Sequence, residues 1–161
     1  TIDNGENRTS NVGGFSITAL HKFLSVDVFE GLPLVFRMLI EPVVGLSSEG
    51  GTGSGIVEYE TPLITESLAE LGCNPADAPY CNEVSEGADE ITFSCYTSTQ
   101  SRIKKYFNGT GSAEAYATRS PQIANSAMFH RISNAGGLGT GENWRACGTT
   151  FGFCLKADRA E

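Results

Sequence analysis

Five cysteines constrain the fold of this 161-residue chain more than any other feature. Cys73 and Cys81 flank a loop with two prolines, and Cys147 and Cys154 flank the segment CGTTFGFC. Either pair can close a short disulfide ring, which removes about 2.5 kcal/mol of conformational freedom from the unfolded chain in the chain-entropy model. Disulfides persist in oxidising compartments. The spacing therefore predicts a secreted or surface protein, with Cys95 left outside both rings.

Two other roles for these cysteines stay open, namely buried thiols and a zinc site. The chain has no CxxC pair, and His21 and His130 are far in sequence from either cysteine pair, which disfavours zinc. There is no G-x-S-x-G, and the glycine-rich segments 50–55 and 136–141 lack the spacing of a phosphate loop or a dinucleotide fingerprint. A Cys95–His130 pair and an N-terminal Thr1 nucleophile lack supporting groups. We therefore expect a protein that is not an enzyme.

Charge is unevenly distributed along the chain. The net charge is −8, yet residues 38–101 carry eleven acidic residues with no lysine or arginine, and residues 102–161 carry eight basic residues against four acidic ones. An acidic total argues against nucleic acid as a partner. Neutralisation of the two halves within one fold explains this segregation more simply. Head-to-tail contacts between acidic and basic faces are the other explanation, and they predict a homo-oligomer.

The arrangement of turns and apolar runs predicts an α+β fold. Residues 1–14 are expected to form a flexible or partner-ordered arm, and residues 15–161 a single domain. The fold would be an antiparallel sheet with two or three short helices, glycine-rich loops and short-range disulfides. Strands are expected within 24–29, 57–60, 91–97 and 150–156, and helices at 61–71, 101–107 and from 120 onward. Residues 34–40 suit a strand or a short helix, and no apolar run is long enough to cross a membrane.

The helix predicted over 61–71 has specific end signals. Thr61 suits the N-cap, Pro62 the first helical position and Gly72 the C-terminal stop. Ile64, Leu68 and Leu71 would share one face, which we expect to pack in the core.

An acidic loop and two glycosylation motifs complete the candidate sites. Four oxygen-bearing residues of the loop are candidates for calcium ligands: Asp77, Glu83, Glu86 and Asp89. Their spacing is not that of an EF-hand, and a solvated charge run explains them better. We therefore expect no cofactor, with calcium as the one exception that the loop leaves open. Asn7 and Asn108 begin glycosylation triplets. Aromatic side chains that suit ligand stacking are Tyr80, Tyr96 and Trp144, for which ordinary packing is the alternative.

The closing segment Gly148–Ala157, with the sequence GTTFGFCLKA, resembles the last strand of bacterial type IV pilin and pseudopilin heads. The resemblance covers only these residues, and the family's hydrophobic N-terminal helix with its early glutamate is not present in this sequence. It implies a disulfide-bonded closing strand in a filament subunit, and no functional residue carries over.

These features together predict a non-enzymatic extracellular structural subunit that assembles with copies of itself. A filament, a pilus-like fibre and a virion or tail coat all fit, at a cell or virion surface. One alternative is a secreted monomeric module that binds a ligand or carbohydrate, with calcium as an optional requirement. Another is a small hydrolase whose site no sequence motif reveals.

Overall fold

The computed structural model describes residues 10–51, 53, 55–73, 93–105, 111–122, 125–142 and 148–157. Helical segments occupy the N-terminal third. A 3₁₀ turn at Phe15–Ile17 precedes helix α1, which runs through Ala19–Lys22, a π-helical stretch Phe23–Val28 and Phe29–Gly31. Helix α2 covers Leu34–Leu39, and a second 3₁₀ turn covers Gln100–Arg102.

The described strands form three small sheets. Strand β1 (Ile40–Glu41) pairs with β8 (Cys154–Leu155), and β2 (Val43–Ser48) pairs with β3 (Ile56–Thr61), both antiparallel. The third sheet has the order β6-β5-β4-β7. Its strands are β4 (Tyr116–Pro121), β5 (Met128–Ile132), β6 (Leu138–Glu142) and β7 (Gly148–Thr149), all antiparallel except that β7 runs parallel to β4. The mixed helix and antiparallel sheet confirms the predicted α+β class.

The helix predicted at 61–71 is wrong. Thr61 is the last residue of β3 and pairs with Val43, and its hydroxyl donates to the carbonyl of Leu63 instead of capping a helix. Three residues later, Ile64 forms an isolated antiparallel β-bridge with Gly152. Long-range strand pairing therefore overrides the local capping signal. The predicted burial of this segment is nevertheless correct, because Leu68 and Leu71 are fully buried.

The other helix and strand assignments also need correction. Residues 24–29 belong to α1 and not to a strand, and Pro121 ends β4 where a helix was expected. The strand predicted at 91–97 is a turn from Phe93 onward, closed by a hydrogen bond from the amide of Tyr96 to the carbonyl of Phe93 (2.9 Å). Instead of two or three short helices, the described residues contain one long helix, α1, and the six-residue α2. The predicted strands at β3 and β8 are confirmed, with β3 longer than expected and β8 shorter.

The core has two centres. One cluster joins the helical segment to β3 and the third sheet, and consists of Phe15, Leu20, Leu24, Ile40, Tyr59, Leu63, Ala117 and Phe129. The other lies around Leu68 and Leu71 and includes Cys73, Tyr96, Tyr116 and Ile132. Each of the two clusters therefore contains residues from both the acidic and the basic halves of the sequence.

Asn11 fastens the start of the described chain to this interior. Its amide nitrogen donates to the carbonyls of Gln122 (2.9 Å) and Met128 (2.6 Å), and its side-chain oxygen accepts from the amide of Gly51 (2.7 Å). Gly50 has a φ of +70°, and a Cβ there would lie 2.1 Å from the Asn11 carbonyl oxygen. The glycine at position 50 therefore allows the backbone of the glycine-rich segment to pack closely against the backbone of Asn11.

Replacing Asn11 by alanine is expected to lower the free energy of unfolding by about 1–3 kcal/mol, because several buried backbone groups lose their partner. Urea unfolding of the variant measures the loss. The control is Asn134→Ala, at an exposed turn position, for which we expect almost no change. Equal stabilities of the two variants would contradict the role assigned to Asn11.

Candidate functional site

Helix α2 and the C-terminal strand form one layer. Ile40 pairs with Leu155, and the amide of Lys156 donates to the carbonyl of Leu39 (2.8 Å). The rings of Phe36 and Phe153 meet edge to face with their centroids 5.2 Å apart. The end of the chain is therefore fixed against the helix that follows Pro33.

This layer carries most of its apolar side chains on the outside. Helix α2 has no buried residue. Its Phe36, together with Leu32 just before the helix, is partly buried against the first core cluster. The exposed side chains define what we call the apolar face: Leu34, Val35, Met38, Leu39, Phe153 and Leu155, each exposed by 41–75%. All six belong to α2 or to the closing segment that pairs with β1. Large exposed apolar patches mark interaction sites in soluble proteins.

The sequence explains why α2 is a helix that exposes apolar residues. Pro33 precedes its first residue, and the Pro33 carbonyl accepts hydrogen bonds from the amides of Phe36 and Arg37. Four of the six residues of α2 are aliphatic or methionine. Together with Phe36 they are spread around much of the helix, so a single buried face cannot accommodate all of them. The helix buries Phe36 in part and leaves the rest to solvent.

Charged residues of both signs lie around the apolar face. Glu30 and Arg37 form an ion pair, with side chains 59% and 25% exposed. Glu41 is exposed in β1, and the Lys156 ammonium donates to the carbonyl of Met38 (2.8 Å). These four residues balance to zero charge, so two copies of this surface can approach each other without net repulsion.

Among the described residues, a buried ion pair joins the acidic and basic halves of the sequence. The guanidinium of Arg119 donates to both carboxylate oxygens of Glu70, and it also donates to the carbonyls of Leu46 and Thr65 at 2.8 Å each. Arg119 is fully buried in β4. Part of the charge segregation seen in the sequence is therefore neutralised inside the fold.

A second polar network lies between the second core cluster and the surface. The Lys104 ammonium donates to the Tyr96 hydroxyl, which donates to one carboxylate oxygen of Glu66 (3.1 Å), and the Thr150 hydroxyl donates to the other. Burial, together with the Glu66 charge, raises the pKa of Tyr96 well above its usual range. Tyr96 therefore stays protonated. Its ring is buried and covered by Lys104, so it does not offer a stacking surface to a ligand.

His21 has a shifted pKa. Its ring lies edge-on to Phe15 and Tyr59, with centroids 5.8 Å and 5.0 Å away, and its Nδ1 donates to the carbonyl of Ser16 (2.9 Å). Nε2 is buried without a hydrogen-bond partner among the described residues. Burial lowers the pKa of His21 below 6.5, and the bond to Ser16 offsets this only in part.

We expect acidification to destabilise the protein through His21. Because the folded-state pKa is below the unfolded value, the unfolded state binds more protons, and the free energy of unfolding falls as the pH drops below about 6.5 towards the folded-state pKa. Urea unfolding between pH 7.5 and 5 measures the effect, with His21→Phe as the control that keeps an aromatic ring. Identical pH dependence in the two proteins would contradict this assignment.

The predicted cysteine sites are described only in part. Cys73 is buried in the second core cluster, while Cys95 and Cys154 carry exposed free thiols, and no disulfide joins two of the described cysteines. Cys81 and Cys147 lie outside the described residues. The ring pairings Cys73–Cys81 and Cys147–Cys154 therefore remain predictions, although the free thiol of Cys154 in the structure does not match the second one.

The remaining predicted sites fall mostly on residues that the structure does not describe. These are the calcium candidates Asp77, Glu83, Glu86 and Asp89, the sequon residues Asn7 and Asn108, and the aromatics Tyr80 and Trp144. Within the described part of the chain, no group of three metal-ligating side chains comes together. No helix there is long and apolar enough to cross a membrane.

His130 is buried within β5 and not placed on a helix, whereas Cys95 lies on the surface in a turn. The structure thus gives no geometric support to the Cys95–His130 pair.

No family model, curated protein or solved structure matches this chain. The apolar face was not singled out from the sequence, although the signal was present. The run from Leu32 to Leu46 is the most apolar stretch of the chain, and only two prolines and two charged residues interrupt it.

Proposed function

We propose that this protein is a non-enzymatic structural subunit that associates with copies of itself through the apolar face. The observation that carries the proposal is the exposure of α2, whose Leu34, Val35 and Met38 each expose more than 60% of their surface. Burying such side chains stabilises an interface by about 1.5–3 kcal/mol each when burial is complete. Stable interfaces place a cluster of this kind at their centre, with a polar rim around it.

A second copy of the chain fits this face better than a strongly charged partner. The rim of the apolar face carries two acidic residues, Glu30 and Glu41, and two basic ones, Arg37 and Lys156. Opposite charges can therefore meet when the apolar faces of two copies come together. Such self-complementary contact gives a two-fold dimer. Head-to-tail contact needs a different acceptor surface, and α1 offers one in Phe23 and Val26, which are 47% and 49% exposed.

The site of action that we propose is the cell or virion surface, or the extracellular space. Support comes from the sequence, in the two short cysteine spacings and the two sequons at Asn7 and Asn108. A filament, a pilus-like fibre and a coat of a virion or tail are the assemblies that fit when contacts run head to tail, whereas two-fold contact alone gives a closed dimer. Mass spectrometry of unreduced, alkylated protein tests the compartment. Two closed rings would support it, and five alkylated thiols would overturn it.

Size-exclusion chromatography with light scattering, at several protein concentrations and salt concentrations, tests the self-association. We expect a mass above that of the monomer that persists as salt is added, because burial of apolar surface is not screened by ions whereas exposed charge contacts are. The variant Phe23→Glu separates the two geometries, because it prevents association altogether if contacts run head to tail and leaves a two-fold dimer unchanged. A monomer under every condition would refute the proposal.

A further inference from the structure

A cavity of about 320 Å³ opens beside β7, apart from the apolar face. We call it the Lys104 pocket. Eight residues line it: Lys104, Lys105, Glu114, Ala115, Tyr116, Gly148, Thr149 and Thr150. Its volume is at the lower end of the range for small-molecule sites. Three separate stretches of the chain meet there, because Lys105 bridges to Ala113 and β7 pairs with the start of β4.

The wall of this pocket is fixed from behind. Lys104 and Thr150 both line the cavity, and both join the Tyr96–Glu66 pair: Lys104 donates to the buried Tyr96 and Thr150 to the half-buried Glu66. The ammonium of Lys104 also lies 4.6 Å from the centre of the Tyr96 ring. Holding a lysine this way reduces the side-chain freedom that ligand binding would otherwise have to remove.

The pocket also differs in charge from the chain around it. The lining contains two lysines and one glutamate, so its net charge is +1, whereas the whole protein has a net charge of −8. The rest of the lining includes Ala115, Gly148 and Tyr116, which is itself almost fully buried. Burial raises the pKa of Tyr116, which keeps its hydroxyl neutral and bonded to the carbonyl of Arg102 (3.0 Å).

From this arrangement we infer that the Lys104 pocket binds a small organic carboxylate. The ammonium groups of Lys104 and Lys105 pair with the carboxylate, and the apolar body of the ligand packs against Ala115 and Gly148. A ligand with one negative charge neutralises the net positive charge of the lining. A second negative charge on the ligand would be repelled by the carboxylate of Glu114. This inference does not depend on self-association.

Thermal melting tests the inference, with sodium benzoate, sodium butyrate, benzamide and inorganic phosphate as probes at constant ionic strength. We expect a saturable rise in melting temperature with one or both carboxylates and none with benzamide, which has the shape of benzoate without its charge. Binding by Lys105→Met is expected to be about tenfold weaker, because one charged hydrogen bond is lost. Lys156→Met, at an exposed lysine outside the pocket, is the matched control.

A further variant tests the fixed wall. Tyr96→Phe removes the hydroxyl that holds Lys104 while leaving both lysines in place, and we expect weaker benzoate binding with little change in its salt dependence. No saturable response to either carboxylate, an equal response to benzamide or phosphate, or equal losses in Lys105→Met and Lys156→Met would each overturn the inference.

Discussion

Replacing Arg119 by methionine is expected to lower the free energy of unfolding by about 3–5 kcal/mol, because it leaves the Glu70 carboxylate buried without its partner. The carbonyls of Leu46 and Thr65 lose their donor in the same step. Since a domain of this size has a total stability of about 5–15 kcal/mol, the variant would be close to unfolding at ambient temperature. Urea unfolding followed by circular dichroism measures the loss.

The exposed pair Glu30–Arg37 provides the matched control. Arg37→Met removes the same charge from an ion pair in contact with water, for which we expect a loss of about 0–1 kcal/mol. The double variant Arg119→Met with Glu70→Gln should be more stable than the sum of the single effects predicts, because the glutamine leaves no buried charge. A loss below about 1 kcal/mol for Arg119→Met would contradict the structural role given to this pair.

Introducing lysine at Val35 and Met38 is expected to abolish self-association while leaving the fold intact. Both side chains are exposed, so the isolated subunit loses little by the change. In an assembly each would be buried, and burial of an unpaired charge is strongly unfavourable. Two central positions that each contribute about 2 kcal/mol or more imply at least a hundredfold rise in the dissociation constant.

A matched control carries the same two charges elsewhere. Val12 and Val44 are 57% and 65% exposed and lie outside the apolar face. The variant Val12→Lys with Val44→Lys is expected to associate like the unmodified protein. If both double variants dissociate equally, net charge and not the apolar face governs the assembly.

Local sequence signals predicted the fold only where no distant strand competed with them. The alternation around Tyr59 indicated β3 correctly, and the spacing of Leu68 and Leu71 identified core residues. Thr61 and Pro62 carried a good helix start, yet Thr61 pairs with Val43 and Ile64 with Gly152. Such pairings join residues up to about ninety positions apart, and no local propensity reports them.

The candidate sites were hidden for a related reason. An arginine in a short polar run such as that at Arg119 indicates a surface position, and only the fold brings Glu70 to it. The Lys104 pocket likewise depends on Thr150 and Glu66, which are far apart in sequence. The apolar face is different, because α2 is simply too apolar for a solvated helix, and that excess was visible in the sequence itself.

Sedimentation equilibrium tests the central claim most directly, with the unmodified protein, the Val35→Lys/Met38→Lys variant and the Val12→Lys/Val44→Lys control measured over one concentration range. The account predicts that the unmodified protein and the control exceed the monomer mass of 17.1 kDa as concentration rises, while the variant of the apolar face stays at that mass. A monomeric unmodified protein throughout, or a variant that associates as strongly as the control, would contradict the account.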